Sequence, residues 1–493
     1  MLGEALLLQG DALYTQGRPE DSIASLHQAQ KIFAEAGNQA ALARTFNRIG
    51  AVMMDTGDFS GAEEHYQQAL AIAQRLGSSE LIATQTLALG FVAADLGDLE
   101  RARQLIQQAH ERFVGLGEQL YQTRSLYKLG EISWEMGNLK GARELYEEVL
   151  TQARKSGNRV EEARALNGLG EIFAASGELT EARSRQEQAF AMARSYGDPF
   201  LAASYLASLG QTFMLQGDLP GARHRLELAL QTKRQVRDRL GTAQALSVLS
   251  KIAYEQGELD LARRYAKEAD PIRAALVSAA ALQAEARLDM AAGDFAAARE
   301  HLSEALRLST SRGAVLLAAG LRLDLGRLAL AEGRPGDAER QAREVAQLYH
   351  QKDMPNGESR ALALLSQALA AGGLFAEAKQ AGEEAHAISE KSEELELQIE
   401  VLMAIAPAGV AAGEIRSSLG HLRWAVSEAA RLGYVEAGLQ ARLTLGALQI
   451  QTGDAATGRA TLAAVQKDAT ARGFKEIARR AAALLAGQRV PLG

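Results

Sequence analysis

At 493 residues, with 47% hydrophobic but only 5% aromatic residues and 8 prolines, the chain has the composition of Ala- and Leu-rich helices. A net charge of −7 and a pI near 5.8 argue against non-specific nucleic-acid binding, which needs a basic footprint. The absence of cysteine excludes disulfides, thiolate zinc sites and cysteine nucleophiles, and no apolar run approaches the roughly 18 residues of a membrane span.

In chain order, the first element already announces the rest. The opening MLGEALLLQGDALYTQG lacks the charged n-region and cleavage site of a signal peptide. It reads as a helix ending at Gly17, and the same ending returns at Gly57, Gly97, Gly137, Gly177, Gly217 and Gly257, always 40 residues apart. A step of 36 leads to Gly293, after which Gly333, Gly373, Gly413 and Gly453 resume the 40. A period of about 20–50 residues signals a solenoid or array, in which length does not count compact domains. Each unit has an A helix before the marker glycine and a B helix after it. The glycine takes the left-handed conformation that stops helix A. Asp58, Asp98, Asn138, Asp218, Asp294 and Asp454 are N-cap types for helix B, while Glu178 and Glu258 mainly suit its dipole. Twenty residues past the marker a second stop recurs, as at Gly37, Gly77 and Gly117, so two helices of roughly 16–18 residues fill the period.

A third glycine lies inside helix A, seven residues before the marker, at Gly10, Gly50, Gly90, Gly130, Gly170, Gly210, Gly326 and Gly446. A mid-helix glycine costs about 1 kcal/mol relative to alanine, so the repeated choice implies close approach of a neighbouring helix. Alanines such as Ala62, Ala102, Ala142, Ala182 and Ala222 are the expected surfaces from helix B. Twenty-eight of the 46 glycines occupy these three phases, which makes glycine here architecture and not a phosphate loop.

Three places break the rhythm. The 36-residue step contains Pro271, where the seventh B helix is expected to end early and the geometry to change. KDMPNGES at 352–359 predicts a looser turn, and Pro407 predicts a kink or break inside a helix. The acidic run 383–400 reads as a solvated helix pair. After the twelfth B helix, 473–487 reads as a capping helix with Phe474, Ile477, Ala481, Leu484 and Leu485 inward and Lys475, Glu476, Arg479 and Arg480 outward. The expected organisation is repeats one to seven over 1–270, repeats eight to twelve over 271–473, and cap with tail over 474–493. An uncapped helix at residue 1 is what a chain cut from something longer would show, whereas the capping helix reads as a natural end.

The spacing resembles the tetratricopeptide repeat (TPR), whose 34-residue form reads W-x2-L-G-x2-Y, then A-x3-F, A and P. The match runs through Ile49, Gly50, Ala62, Tyr66 and Ala69, without the closing proline and with about six extra residues lengthening the helices. That is similar to the 40-residue variety of bacterial regulators of the maltose-activator type and of eukaryotic scaffold adaptors. The closing repeats also resemble the TPR tails of winged-helix regulators and serine/threonine kinases. The resemblance covers essentially the whole chain. It implies an all-α, right-handed superhelical solenoid of twelve helix-turn-helix repeats plus the cap.

No catalytic constellation is present: the chain lacks G-x-x-x-x-G-K-[ST], H-E-x-x-H, G-x-S-x-G and the kinase motifs. The eight histidines all fall in B helices at scattered phases. No metal site, cofactor or enzyme activity is expected. Function is therefore expected on a surface. At 100° per residue, positions thirteen, ten, nine, six, three and two before the marker lie opposite the core face of helix A and line the concave groove. They place Arg44, Asn47 and Arg48 in repeat two, and Phe91 in repeat three. Repeat four gives Arg124, Tyr127, Lys128, Glu131 and Trp134, and repeat five gives Arg164, Asn167 and Glu171. Cations and amides beside aromatic rings suit a protein or peptide partner with acidic groups, although the same charges can pair within the chain, as Lys128 with Glu131. Repeats eight to twelve offer Arg287, Asp324, Arg327 and Gln367 among many alanines, a blander groove. Two functions follow: a cytoplasmic protein-interaction scaffold or sensory arm of a bacterial signalling protein, or a small-molecule-sensing superhelix that controls self-assembly of a transcription regulator. Neither reading places nucleic acid or membrane on this region, and both leave room for self-association.

Overall fold

The marker glycines set the architecture as their phase predicts. The computed structural model describes residues 1–269, 277–488 and 490, and of 277 and 278 the backbone only. Among the described residues stand twenty-five helices and no strand. They pair as helical hairpins, from α1 (Leu2–Thr15) with α2 (Pro19–Glu35) to α23 (Val435–Gln451) with α24 (Ala455–Arg472), and α25 (Lys475–Leu485) closes the series. The chain is an all-α repeat solenoid. At Gly57, φ of 86° ends α3 (Gln39–Thr56), and Asp58 Oδ1 accepts from the Gly61 N–H at 3.0 Å to open α4 (Phe59–Leu76). Every marker glycine has positive φ.

The helix-A glycines are contact sites, but the crowding neighbour is not the alanine that the sequence suggested. A Cβ on Gly90, in α5 (Ser79–Asp95), would lie 2.4 Å from Ile106 Cγ1 of α6 (Leu99–Leu116). Tyr66, Tyr146 and Leu226 crowd Gly50, Gly130 and Gly210 in the same way. The glycine thus makes room for one large residue of helix B, sixteen positions on, while Ala62, Ala102 and Ala142 are simply buried.

The chain divides into two compact units. The first comprises Met1–Ala165 with Ser311–Ala314, and the second Leu166–Thr310 with Val315–Gly493. The first therefore holds α7 (Gln119–Glu135), α8 (Leu139–Ser156) and the start of α9 (Arg159–Ser176). The second includes α13 (Arg239–Glu255), α14 (Leu259–Ala269), α15 (Val277–Ala292), α17 (Val315–Ala331), α19 (Pro355–Ala371) and α21 (Leu395–Ala411). The change expected at Pro271 lies outside the described residues. Within the second unit, marker turns of repeats five to seven pack against the turns that follow helices B of repeats ten to twelve. The Gly177 carbonyl accepts from the Glu393 N–H at 3.3 Å, and Tyr434 donates to the Met214 carbonyl at 3.0 Å. Phe474 meets the Tyr254 ring edge-on at 5.7 Å. These contacts wrap repeats seven to twelve around a shared interior.

Two local expectations change. Pro407 sits inside α21, which runs unbroken from Leu395 to Ala411. The cap forms as α25 with Phe474, Ile477 and Ala481 buried, but Glu476 and Arg480 are buried with them instead of facing outward.

Candidate functional site

On the inner A-helix face of the first unit, each cation singled out from sequence is held by a carboxylate of the same chain. Arg44 reaches Glu4 at 2.9 Å, Arg48 reaches Asp11 at 3.4 Å, and Lys128 reaches Glu131 at 3.0 Å. Arg124 and Arg164 share Glu161 Oε1, at 3.6 and 3.0 Å. Glu161 is 1% exposed and its Oε2 accepts no hydrogen bond, so two groove cations converge on one buried carboxylate. Asn47 donates to Gln85 at 2.9 Å. The Lys128 ammonium stands 5.7 Å from the Phe91 ring centroid, and Tyr127 and Tyr146 stack at a tilt, 5.3 Å apart. Trp134 is half-buried. In the second unit Asn167 donates to Glu171 at 2.9 Å. The structure thus joins Arg124 with Arg164, and Phe91 with Lys128 and Glu131; the pairs of Arg44 and Arg48 stay separate from these.

Sequence reasoning passed over a column of acids on this face. Asp55, Asp95 and Glu135 all stand two residues before a marker glycine. Partial desolvation raises the carboxyl pKa of each, although Asp55 and Glu135 keep much of their surface in water, and mutual repulsion adds to it: Asp95 acts on Asp55, and Glu131 and Asp95 act on Glu135. For Asp95, Lys128 and Arg312 oppose the rise without cancelling it. Burial alone would lower the Lys128 pKa, but Glu131, Asp95 and Glu135 drive it up.

The second unit holds a cavity of about 240 Å³ in the interior of repeats seven to twelve and the cap. Its apolar wall includes Tyr254, Met290, Phe295, Leu364, Met403 and Phe474. The rest is charged: Glu255, Glu396, Glu400, Glu436 and Glu476 line it together with Arg327, Arg360 and Arg480. The arginines are engaged. Arg327 bonds Asp324 at 2.8 Å and meets Glu400 at 3.6 Å. Arg360 bonds Glu400 at 3.0 Å and pairs closely with Glu394, which is 2% exposed. Arg480 donates to Gln440 at 3.3 Å, and Gln440 donates to Glu436 at 3.2 Å. Glu476 is held by Arg479. The acidic run read as solvated therefore supplies buried groups, because α21 turns Glu394 and Glu396 inward. Glu255, at the same phase as Asp55, is the group the pattern could have flagged.

Glu255 is 7% exposed and makes no hydrogen bond or ion pair with described residues. Burial pushes its pKa up to about 8, and Glu396 and Glu436 push in the same direction against Lys251 and Arg287. Glu396 is also 7% exposed. Burial would raise its pKa, but Lys251, Arg360 and Arg287 hold it below the usual carboxylate range. Its Oε2 accepts no hydrogen bond; Lys251 Nζ lies 3.5 Å away. Burial raises the Glu436 pKa, Gln440 opposes the rise, and Glu400 and Glu396 add to it. Among the described residues no cluster could hold a metal ion, and no helix is long and apolar enough to cross a membrane.

With repeats, turns and interior residues in place, comparison with known families is direct. The MalT-like TPR region matches residues 116–275, and tetratricopeptide-repeat models match 2–75, 83–108 and 284–353. The chain is a tetratricopeptide-repeat protein. Similar solved structures include the apo form of RapI, at 17% identity over 55% of this chain and 98% of that one, with a TM-score of 0.46. The Rap conjugation gene regulator of plasmid pLS20, in complex with the Phr* peptide, is 16% identical over 54% and 72%, with a TM-score of 0.47. BtubC from P. vanneervenii is 20% identical over 44% and 92%, with a TM-score of 0.38. No curated protein matches. The TPR architecture suggests a protein-interaction scaffold.

Proposed function

We propose that this scaffold is the non-catalytic arm of a cytoplasmic bacterial signalling or regulatory protein, with a protein or peptide partner docking on the A-helix faces of repeats two to five. The observation that carries it is the set of half-buried rings Phe91, Tyr127 and Trp134 held between fixed ion pairs on successive A helices. Such rings give contact area at low entropic cost and dominate interface hot spots. The partner's charge follows from the pairing. An acidic group must take Arg124 or Arg164 from Glu161, or Lys128 from Glu131, whereas Asp55 and Asp95 make no ion pair with described residues. A partner carrying basic as well as acidic groups fits best, with attraction that weakens as salt rises.

The test is a pull-down from the native lysate, followed by titration of the captured polypeptide against variants. Arg124→Glu with Lys128→Glu should weaken binding at least tenfold, about 1.4 kcal/mol, with helicity unchanged. Asp55→Asn with Asp95→Asn should weaken it several-fold. Unaltered affinity in both would move the site elsewhere. A second reading, that the chain senses a small molecule, is favoured by the charged interior of the second unit. A thermal-shift screen of metabolites tests it.

A further inference from the structure

We propose that the cavity of the second unit binds a small organic molecule carrying a primary ammonium group on an apolar body, with Glu255, Glu396 and Glu436 receiving the ammonium. The inference names the ligand class for the small-molecule reading and is independent of partner docking in the first unit. Its starting point is a mismatch of charge. Arg327 and Arg360 are engaged by Asp324, Glu394 and Glu400, and Glu476 by Arg479. What remains on the wall is three carboxylates from three helices, Glu255 of α13, Glu396 of α21 and Glu436 of α23. The cations facing them are Lys251 on α13, Arg287 on α15, Arg327 and Arg360 across the interior, and Arg480 of α25, which bonds the neutral Gln440 and faces Glu436.

The acceptor capacity left over is specific. Glu255 lines the cavity with no bonded partner, and Glu396 Oε2 accepts no hydrogen bond, its one near cation being Lys251 at 3.5 Å. Glu436 has one donor, Gln440. A primary ammonium has three N–H donors and a full positive charge, the complement of this set. The facing wall is aromatic and thioether-rich. Tyr254 and Phe474 meet edge to face, with Phe295, Met290 and Met403 beside them. Aromatic faces attract a cation within about 6 Å, and the same wall removes the ligand's apolar body from water. An anionic ligand would instead face three glutamates with no free guanidinium among the lining residues described above.

Binding is coupled to a proton. Glu255 carries its proton below a pKa of about 8 and must release it to receive the ammonium as an ion pair. Affinity therefore rises with pH, by up to about tenfold per unit below that value, while the ligand stays charged.

The experiment is calorimetric titration of the full chain with phenethylammonium chloride at pH 8.5 and 6.5, beside 2-phenylethanol and 3-phenylpropionate as neutral and anionic shape controls. The ammonium should bind and the controls should not. Binding should weaken at least tenfold at pH 6.5 and release up to one proton, read from the dependence of heat on buffer ionisation. Glu255→Gln should lower affinity tenfold or more and flatten most of the pH dependence, leaving what Glu436 contributes. Glu436→Gln, a second variant, should lower affinity several-fold, with circular dichroism checking that both fold. The proposal is overturned by preferential binding of the anion, by an ammonium affinity unchanged in both variants, or by no binding of phenethyl-, benzyl- or hexylammonium at millimolar concentration. Should other small molecules bind where amines fail, the sensing reading stands and this inference falls.

Discussion

The inner face of repeats two to four and the cavity of repeats seven to twelve carry acids at one repeat phase, two residues before the marker glycine. Asp55, Asp95 and Glu135 stand there in the first unit and Glu255 in the second. Asp55 and Glu135 are exposed and Asp95 half-buried, whereas Glu255 is buried among Glu396, Glu436, Lys251 and Arg287. The ion pairs differ likewise. Arg44 and Glu4 meet in water, while Arg360 grips Glu394 in the interior. Repeat phase therefore decides which residues face inward. Burial, set by the later repeats, decides whether they form a solvated recognition face or a charged ligand pocket.

The largest effect should come from removing an interior charge. Arg360→Met leaves the buried Glu394 without its cation and Glu400 with Arg327 alone, and should cost about 3–5 kcal/mol, because a buried charge loses its partner. The parallel change Arg44→Met in the first unit should cost about 0–1 kcal/mol. Chemical denaturation measures both, and equal costs would erase the distinction between the two regions.

A pH series comes next. Because the Glu255 pKa is raised in the folded chain, the folded state holds a proton that the unfolded state has lost. Its contribution to stability is complete below the ordinary glutamate range and is lost as pH rises toward about 8. The slope should reach at most about 1.4 kcal/mol per pH unit, and Glu255→Gln should remove it. Asp55 and Asp95, also raised, follow the same sign, so Asp55→Asn with Asp95→Asn should remove a slope in the same direction.

Smaller effects test the glycine architecture common to both regions. Gly90→Val should cost roughly 2 kcal/mol by overpacking Ile106. Gly115→Ala meets open space in a helix and should gain up to about 1 kcal/mol. Equal melting temperatures for these two variants would show that the helix-A glycines are not contact sites.

The helices and their ends were legible because stop signals and caps are local, as Gly57 and Asp58 show. The partner of Gly90 was not, since Ile106 reaches it only once the hairpin closes. For groove cations such as Arg44 and Arg124 the carboxylates lie about one repeat away, and a solvent-facing reading does not anticipate Glu4 or Glu161. The interior charges were hidden most deeply. The run 383–400 looks solvated because its pattern cannot tell that α21 lies between α19 and α23. Arg480 misled in the same way, on a short cap whose polar edge also turned inward.

The most direct test of the account is the titration of Glu255 itself, followed by carboxyl-carbon NMR and assigned by the signal lost in Glu255→Gln. The account predicts that Glu255, buried beside Glu396, is protonated at pH 7 and titrates far above the ordinary glutamate range, toward about 8. A Glu255 carboxyl that titrates at about 4–5, in the ordinary range, would contradict the claim that burial separates the two regions.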